Sequence, residues 1–268
     1  MIRRKFDSEK HNYSDPRHPR YANFDKTHPH HLCPSSIKVV SYNIKYSKKV
    51  DKAIHIFKSN HTLTEADIVC LQEMDPHGVE LFANQLHYNY IYYPAVLHPH
   101  HGKDFGNAIL SKWPIIEDKK FIFPNPIKKP SHRQRIAVNA TIQIDQLKIM
   151  IFSIHMGVIA KANQRAFQIE KLIETIPDDI SHCIIGGDFN TFTKKNSKAI
   201  FNIFVAYGYQ LATERVGWTF KHWYLFNKKS LLDHIFTKGL WITDTGKIDD
   251  HSASDHLPIW VELSFNKK

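Results

Sequence analysis

The sequence predicts an α/β fold in which mixed β-sheets pack against each other with helices on the outside. Strand-like and helix-like runs alternate along most of the chain, which is typical of sheets joined by helical crossovers. A hairpin in the middle and consecutive strands near the end do not fit a purely parallel sheet. We therefore expect both parallel and antiparallel strand pairs.

The first half of the chain alternates between strands and helices. IKVVSYNI, from Ile37, is a buried strand by its length and β-branched content. Val50, Ile54 and Phe57 then recur at the spacing of a helix. The next predicted elements are the strand DIVCLQE (67–73), a helix marked by Val79, Phe82, Ala83 and Leu86, the strand YNYIYYPAV and the strand GNAILS (106–111).

The second half begins with the predicted hairpin. RIAVNATIQI (135–144) alternates apolar and polar residues, and LKIMIFSIH (147–155) follows after only Asp145 and Gln146. A third apolar helical stripe consists of Ala162, Ala166, Ile169, Ile173 and Ile176. The remaining predicted elements are HCIIGGDFN, a Phe/Ile-rich helix at 197–207, LLDHIFTKGL, LWITDT and LPIWVELSF.

In this chain of 268 residues, residues 36–268 are expected to form one domain. Residues 1–35 are rich in His, Pro, Arg and Asp without apolar periodicity, which predicts an irregular N-terminal arm. No apolar run approaches the roughly 18 residues of a membrane span, and no signal peptide is visible. Cys33, Cys70 and Cys183 are interpreted as buried thiols in a reducing compartment, so we expect a cytoplasmic protein. We also expect a monomer.

The net charge of the chain indicates which classes of partner it is expected to bind. The formal net charge is +10 at pH 7, which favours polyanionic partners through long-range attraction. Nucleic acid and an anionic lipid surface are both compatible with this charge. Charge alone does not distinguish either of them from an enzyme with a solvated lysine surface.

Polar residues stand at or just beyond the ends of the apolar strands. A rigid sheet directs such residues into one crevice, which makes strand ends natural positions for a functional site. The polar clusters, in chain order, are Asn43 in SYNI, Glu73 in CLQEMD, His155 in FSIHMG, Asp188 and Asn190 in GGDFN, and Asp255-His256 in SASDHLP.

These segments together resemble a known superfamily. SYNI, IVCLQEMD, FGNAILSKWPI, IFSIHMG, IIGGDFN, LLDHIF and SASDHLP occur in the order typical of the endonuclease/exonuclease/phosphatase (DNase I-like) superfamily, from about Lys38 to Leu263. The resemblance implies a four-layer α/β/β/α sandwich of two packed mixed sheets flanked by helices. It also implies hydrolysis of phosphate esters.

The resemblance assigns roles that suit this chemistry. A hard divalent cation on oxygen ligands neutralises the charge of a phosphate ester, so Mg²⁺ is expected, with Mn²⁺ as a substitute. The implied metal residues are Asn43, Glu73 and Asp255. The implied catalytic residues are Asp188 and Asn190 at the water and phosphate, His256 as general base or charge stabiliser, Asp233 as its orienting carboxylate, and His155 as hydrogen-bond donor or acid.

Substrate contacts are expected from Asn107, which opens the GNAILS strand, and from Arg135, with Arg133 as a rival. The loops at 97–105 and 123–135 lie beside predicted site strands, and the second contains Lys128 and Lys129. Basic side chains there are expected to contact phosphates without reading a base sequence. Arg165 and Gln168 are expected to close a loop near the site.

The sequence therefore predicts a Mg²⁺-dependent phosphoesterase that cleaves phosphodiester bonds, with DNA or RNA as the favoured substrate. A lipid (sphingomyelinase-like) or small-molecule phosphoesterase is the alternative, with peripheral contact to anionic lipid. A non-enzymatic binding module on the same fold is a further alternative, although such a module should have lost one or more of Glu73, His155, Asp188 and His256. SLLDHIF replaces the tryptophan-cysteine-aspartate-arginine stretch of inositol-phosphate 5-phosphatases, which argues against that branch.

Overall fold

The computed structural model describes residues 7–25, 34–98, 102–125, 133–222 and 228–266. The strands are, in chain order, β1 (Tyr21–Asn23), β2 (Ser36–Asn43), β3 (Ile68–Met74), β4 (Asn89–His98), β5 (Lys103–Ser111), β6 (Ile115–Ile122), β7 (Ile136–Ile144), β8 (Leu147–His155), β9 (His182–Asp188), β10 (Gln210–Leu211), β11 (Phe220–His222), β12 (Lys228–Ser230), β13 (Asp233–Lys238), β14 (Trp241–Lys247) and β15 (Ile259–Ser264). The helices are α1 (Ser8–His11), α2 (Val50–Ser59), α3 (His61–Thr64), α4 (Pro76–Leu86), α5 (Ala162–Ile173) and α6 (Lys194–Ala206).

Two mixed sheets contain most of the strands. The first has seven strands in the order β1-β4-β5-β3-β2-β15-β14, and the second has six in the order β10-β13-β9-β8-β7-β6. The pairs β2–β3 and β8–β9 are parallel. The other pairs within both sheets are antiparallel. Strands β11 and β12 form a separate hairpin.

The apolar faces of the sheets and helices form three buried layers. Between the sheets, branched side chains such as Val39 and Ile109 share a core with Val138 and Ile184 of the second sheet. Helices α2 and α4 cover the outer face of the first sheet, and α5 and α6 cover that of the second. The predicted four-layer α/β/β/α sandwich is therefore confirmed.

Strand β6 was missed by the sequence analysis. It contains Glu117, Asp118 and Lys119 in succession, so its apolar and polar residues do not alternate. The strand lies at the edge of the second sheet, where β7 is its one partner among the described strands. Charged residues are common on edge strands because they discourage pairing with another chain. The same charged residues interrupt the apolar alternation by which a strand is recognised in a sequence.

The described part of the predicted N-terminal arm packs on the domain. Strand β1 pairs with β4 and forms one edge of the first sheet. The Arg20 guanidinium donates two hydrogen bonds, of 2.7 and 2.6 Å, to the Asp118 carboxylate. The Tyr13 hydroxyl donates to Asp104 at 2.6 Å. Residues 1–6 and 26–33 lie outside the described ranges, and the division at residue 35 stays a prediction.

Two of the three predicted buried thiols are seen. Cys70 and Cys183 are free and buried, and burial raises the pKa of each thiol to about 12. Both are therefore protonated and inert at neutral pH. Cys33 lies outside the described residues. Among the described helices, none has the length and hydropathy to cross a membrane.

Candidate active site

The strand ends singled out in the sequence meet at one end of the sandwich. Asn43 ends β2 and Glu73 lies near the end of β3, its parallel neighbour. His155 and Asp188 end β8 and β9, where they are register partners, and Asp233 begins β13 opposite Asp188. The carboxyl ends of parallel strands share one edge, so both sheets contribute side chains to one crevice.

The Asp188 carboxylate is the centre of this cluster. Four nitrogen atoms surround its Oδ2, namely Asn43 Nδ2 at 3.1 Å, Asn190 Nδ2 at 3.2 Å, His155 Nε2 at 3.5 Å and His256 Nε2 at 3.8 Å. Gly187, directly before Asp188, has φ +153°. A Cβ at Gly187 would lie 2.0 Å from the Ile154 carbonyl oxygen, so only glycine allows β9 to approach β8 this closely.

The position of Asn190 is set by local hydrogen bonds. Its backbone N–H donates to Asp188 Oδ1 at 2.9 Å, which forms an Asx turn. Its Nδ2 also donates to the Met156 carbonyl at 2.9 Å. Asn190 has φ +53°, a conformation that asparagine tolerates better than most residues. The GGDFN segment therefore presents its carboxylate and amide side by side.

His256 is paired with Asp233. The His256 Nδ1 and Asp233 Oδ2 atoms are 2.8 Å apart and both side chains are buried. With Nδ1–H donating to the carboxylate, Nε2 is directed towards Asp188. Burial lowers the pKa of His256, but the Asp233 and Asp188 carboxylates outweigh burial and raise the pKa to about 10. The geometry is that of an orienting carboxylate behind an imidazole.

His155 has the opposite electrostatic environment. Its Nδ1 lies 3.3 Å from Arg135 Nη1. A guanidinium only donates, so Nδ1 accepts and the ring proton lies on Nε2, which faces Asp188 and Glu73. Burial lowers the pKa of His155 well below its usual value, and the charge of Arg135 lowers it further. His155 is therefore a neutral donor at neutral pH.

Glu73 reaches the site through a β-bulge. The register between β3 and β5 shifts between Leu71 and Met74, and Glu73 has φ +60°. A left-handed conformation in a non-glycine residue is strained, and such strain is concentrated at functional sites. A bulge also changes the direction of a side chain. Here it places Glu73 Oε1 3.8 Å from His155 Nε2.

Asp255 is held by a residue that the sequence analysis missed. Lys45 Nζ donates to Asp255 Oδ2 at 2.6 Å, and the Lys45 backbone N–H donates to Asn43 Oδ1 at 3.1 Å. The Ser254 hydroxyl donates to the Asn43 carbonyl at 2.7 Å. These bonds join the SYNIK and SASDH segments. A metal at Asp255 would have to compete with the Lys45 ammonium.

The predicted substrate residues have different environments. Asn107 is buried, and its amide donates to the carbonyls of Ile136 and Ser153 at 3.0 and 3.2 Å. It therefore connects the two sheets below the site. Arg135 contacts His155 directly, whereas Arg133 Nη1 lies 3.3 Å from His98 Nε2. Lys128 and Lys129, together with the loop residues 99–101, lie outside the described residues.

Gln134, between the two arginines, was also missed. Its backbone N–H donates to Asn12 Oδ1 at 3.0 Å, and its Nε2 donates to the Tyr13 carbonyl at 2.9 Å. Both partners belong to the N-terminal segment, so this segment holds the backbone that carries Arg135. The bonds join residues more than 100 positions apart in the sequence, so no local sequence pattern could have predicted them.

We predict that Gln134→Ala destabilises the fold by about 1–3 kcal/mol, because it removes two side-chain hydrogen bonds with the N-terminal segment, one from Nε2 to the Tyr13 carbonyl and one from the Ser14 hydroxyl to Oε1. Chemical denaturation measures this loss. The matched control is Gln143→Ala on β7, since among the described residues the Gln143 side chain donates to the nearby Asp145 carbonyl. Equal free energies of unfolding for the two variants would show that the side-chain contact of Gln134 with the N-terminal segment contributes nothing.

The charges of the site fit a cation. Burial raises the pKa of Glu73 and of Asp188. Within the described part of the chain, the ion-pair partner of Asp188 is His256 at 3.8 Å, and the neutral His155 lies 3.8 Å from Glu73 and 3.5 Å from Asp188. Ligand atoms of Asp188, Asp233 and His256 also lie within 4.8 Å of one another. A buried anionic set of mainly oxygen donors suits a hard divalent ion.

This sandwich, with histidines and carboxylates converging at one end, is the arrangement of the DNase I-like phosphoesterases. Residues 40–256 match the sequence model of the Endonuclease/Exonuclease/phosphatase family. The chain belongs to this family, whose members are phosphoester hydrolases. Among curated proteins, none matches the sequence.

Solved structures agree on the fold. An endonuclease/exonuclease/phosphatase family protein from Leptotrichia buccalis is 19% identical with a TM-score of 0.69, over 85% of this chain and 100% of the other. D. rerio TDP2, complexed with a single-strand DNA product, is 16% identical with a TM-score of 0.66, over 86% and 100%. The mannosyl-6-phosphatase Bt3783 of Bacteroides thetaiotaomicron is 22% identical with a TM-score of 0.62, over 85% and 100%.

Proposed function

We propose that this protein is a divalent-metal-dependent phosphodiesterase and that nucleic acid is its favoured substrate. The observation that carries the proposal is the environment of Asp188 Oδ2. Side chains from β2, from β8, from the segment after β9 and from the segment before β15 all approach this atom within 3.8 Å. A purely structural carboxylate needs no such convergence of histidines and amides.

Glu73 and Asn43 would hold the cation. Asp255 would be a third oxygen donor if the Lys45 ammonium released its carboxylate. Bound there, Mg²⁺ or Mn²⁺ would neutralise charge on the phosphate and on the leaving oxygen. Asp188, Asp233 and His256 are a rival metal set by distance. We prefer the first set because His256 Nδ1 is already committed to Asp233 at 2.8 Å.

The two histidines would have different roles at the phosphate. His256, oriented by Asp233, directs Nε2 at the position of the water that Asp188 and Asn190 would hold. Because its pKa is raised to about 10, the ring is protonated at neutral pH, which favours the role of charge stabiliser over that of general base. His155 directs its Nε2–H into the same space and donates to a phosphoryl oxygen. The Arg135 contact at Nδ1 supports a donor in preference to an acid, because a neutral imidazole has no second proton to release.

Three observations support a nucleic-acid substrate. The net charge of +10 favours a polyanion. Aromatic rings line the rim beside the catalytic pair, since Phe220 lies 4.6 Å from the His256 ring and the partly exposed Phe192 lies 5.5 Å from His222. Unpaired bases stack on such rings. TDP2, whose structure contains a DNA product, has the same fold.

A lipid phosphodiester is the second candidate, and one observation favours it. The loop after β8 exposes 52% of Val158 and 94% of Ile159. Arg165 is fully buried and donates to the carbonyls of Val158 and Ala160, which keeps this loop in place. Apolar side chains beside a site can enter a lipid surface.

A substrate panel with Mg²⁺ tests the proposal. We expect cleavage of plasmid DNA, RNA or bis-p-nitrophenyl phosphate by the native chain and none by Glu73→Gln. Sphingomyelin vesicles and inositol phosphates make up the other arms of the panel. Turnover of sphingomyelin and of no other substrate in the panel would show that the substrate is a lipid. Equal activity of the native chain and Glu73→Gln would contradict the proposed metal residue.

A further inference from the structure

Arg165 is a fully buried cation near the beginning of helix α5. Among the described residues, no carboxylate lies within 4.0 Å of its guanidinium. The helix does not compensate the charge either, because the beginning of a helix carries a partial positive charge. A buried charge without a close counter-ion is costly. A cation at this position therefore needs a reason other than packing.

The guanidinium holds the two segments that follow the site strands β8 and β9. Its Nε and Nη2 donate to the carbonyls of Ala160 and Val158, both at 3.0 Å, in the loop after β8. Its Nη1 donates to the Phe189 carbonyl at 2.7 Å, in the segment after β9. The planar fork of arginine can hold several acceptors at once, whereas the lysine ammonium is a point charge on a flexible stem. One side chain thus ties the two segments together.

The bond to Phe189 reaches the Asp188 carboxylate through a single peptide group. The Phe189 carbonyl and the Asn190 N–H belong to the same planar peptide. Its carbonyl accepts from Arg165 at 2.7 Å, and its N–H donates to Asp188 Oδ1 at 2.9 Å. Hydrogen bonds in such a chain polarise one another, and here a cation stands at one end and a carboxylate at the other. The charge of Arg165 therefore strengthens the bond that orients Asp188.

The charge of Arg165 persists in spite of its burial. Burial lowers the pKa of Arg165 to about 10, and the Asp188 carboxylate opposes this shift. The guanidinium is therefore protonated at neutral pH. The same peptide also fixes Asn190, which has φ +53° and whose Nδ2 donates to the Met156 carbonyl at 2.9 Å. Both groups that would hold the water and the phosphate thus depend on a peptide that Arg165 holds.

We infer that Arg165 is a positioning residue for the hydrolysis, which acts on Asp188 and Asn190 through the peptide between residues 189 and 190. The inference rests on the proposed function, because it assigns a role in the same reaction. Arg165 does not touch the reacting atoms. Its loss therefore slows the chemical step and leaves the binding of a small substrate unchanged.

Steady-state hydrolysis of bis-p-nitrophenyl phosphate by Arg165→Met and Arg165→Lys tests this role. We expect Arg165→Met to lower kcat by about 10–100-fold at unchanged KM, the usual effect of losing a group that orients site residues. Arg165→Lys should lose less, because the ammonium keeps the charge but not the fork. The matched control is Gln168→Met on the same helix, which removes a buried bond of 2.9 Å to the Pro124 carbonyl and should keep the native kcat.

The amide proton of Asn190, observed by ¹H–¹⁵N NMR without substrate, gives a second measurement that needs no turnover. Its resonance should move upfield in both Arg165 variants, because a weaker bond to the Asp188 carboxylate deshields the proton less. In Gln168→Met it should keep its native position. Thermal denaturation verifies that each variant folds, and Arg165→Lys carries both measurements if Arg165→Met does not fold.

An Asn190 resonance that is unchanged in the Arg165 variants overturns the positioning role. So does an equal fall in kcat for Gln168→Met and Arg165→Met, because the effect is then a general loss of stability. A raised KM at native kcat also overturns it, since Arg165 then acts on substrate binding. A native chain that does not hydrolyse the diester contradicts the proposed function instead, and the Asn190 resonance still tests Arg165.

Discussion

His256→Ala should lower kcat by about 10²–10⁴-fold, the usual contribution of a positioned proton-transfer or charge-stabilising group. Asp233→Asn should cause a smaller loss on the same step, because the amide keeps the shape of the carboxylate but no longer fixes the imidazole proton on Nδ1. The reason is the 2.8 Å contact between His256 Nδ1 and Asp233 Oδ2. Steady-state kinetics of both single variants and the double variant measure these losses.

The two losses should be strongly non-additive, since groups that act as a unit lose their joint contribution when either is removed. We therefore expect Asp233→Asn to cost little in the His256→Ala background. A double variant that loses the product of the two single factors would show that the pair does not act together. Asp244→Asn, on β14, is the matched control for the carboxylate change, and thermal denaturation verifies that every variant folds.

Chelation with EDTA should abolish activity, and Mg²⁺ or Mn²⁺ should restore it while Zn²⁺ restores it poorly. The expected ligands, Asn43, Glu73 and Asp255, are oxygen donors, which prefer hard cations. Glu73→Gln should remove the anchoring charge and lower Mn²⁺ affinity by at least tenfold, as measured by electron paramagnetic resonance of free Mn²⁺ without any turnover. Full turnover by extensively chelated enzyme would refute metal dependence.

The same titration distinguishes the two candidate metal sets. Loss of Mn²⁺ binding in Glu73→Gln but not in His256→Ala supports the set around Glu73. The reverse result assigns the ion to Asp188, Asp233 and His256, whose ligand atoms lie within 4.8 Å of one another. Glu80→Gln, an exposed change on α4, is the control for the loss of one carboxylate.

The sequence by itself determined the layers of the fold and the residues that come together. Apolar periodicity records which face of an element is buried, and this property is local, so helices such as α2 and α5 and the β7–β8 hairpin were predicted within a few residues. The polar motifs at the strand ends indicated the family, because a sheet brings strand ends together whatever the details of the loops.

Only the tertiary structure decided how those residues are held. The Lys45–Asp255 ion pair and the contact of Gln134 with residues 12–13 join segments far apart in the chain. The proton position on His155 depends on Arg135, and the strained Glu73 depends on a bulge against β5. Hydrogen bonds and charges act between atoms that meet only after folding. They therefore produce no periodic pattern in the sequence, whereas the burial of one face of a helix or strand produces a periodic pattern of apolar residues.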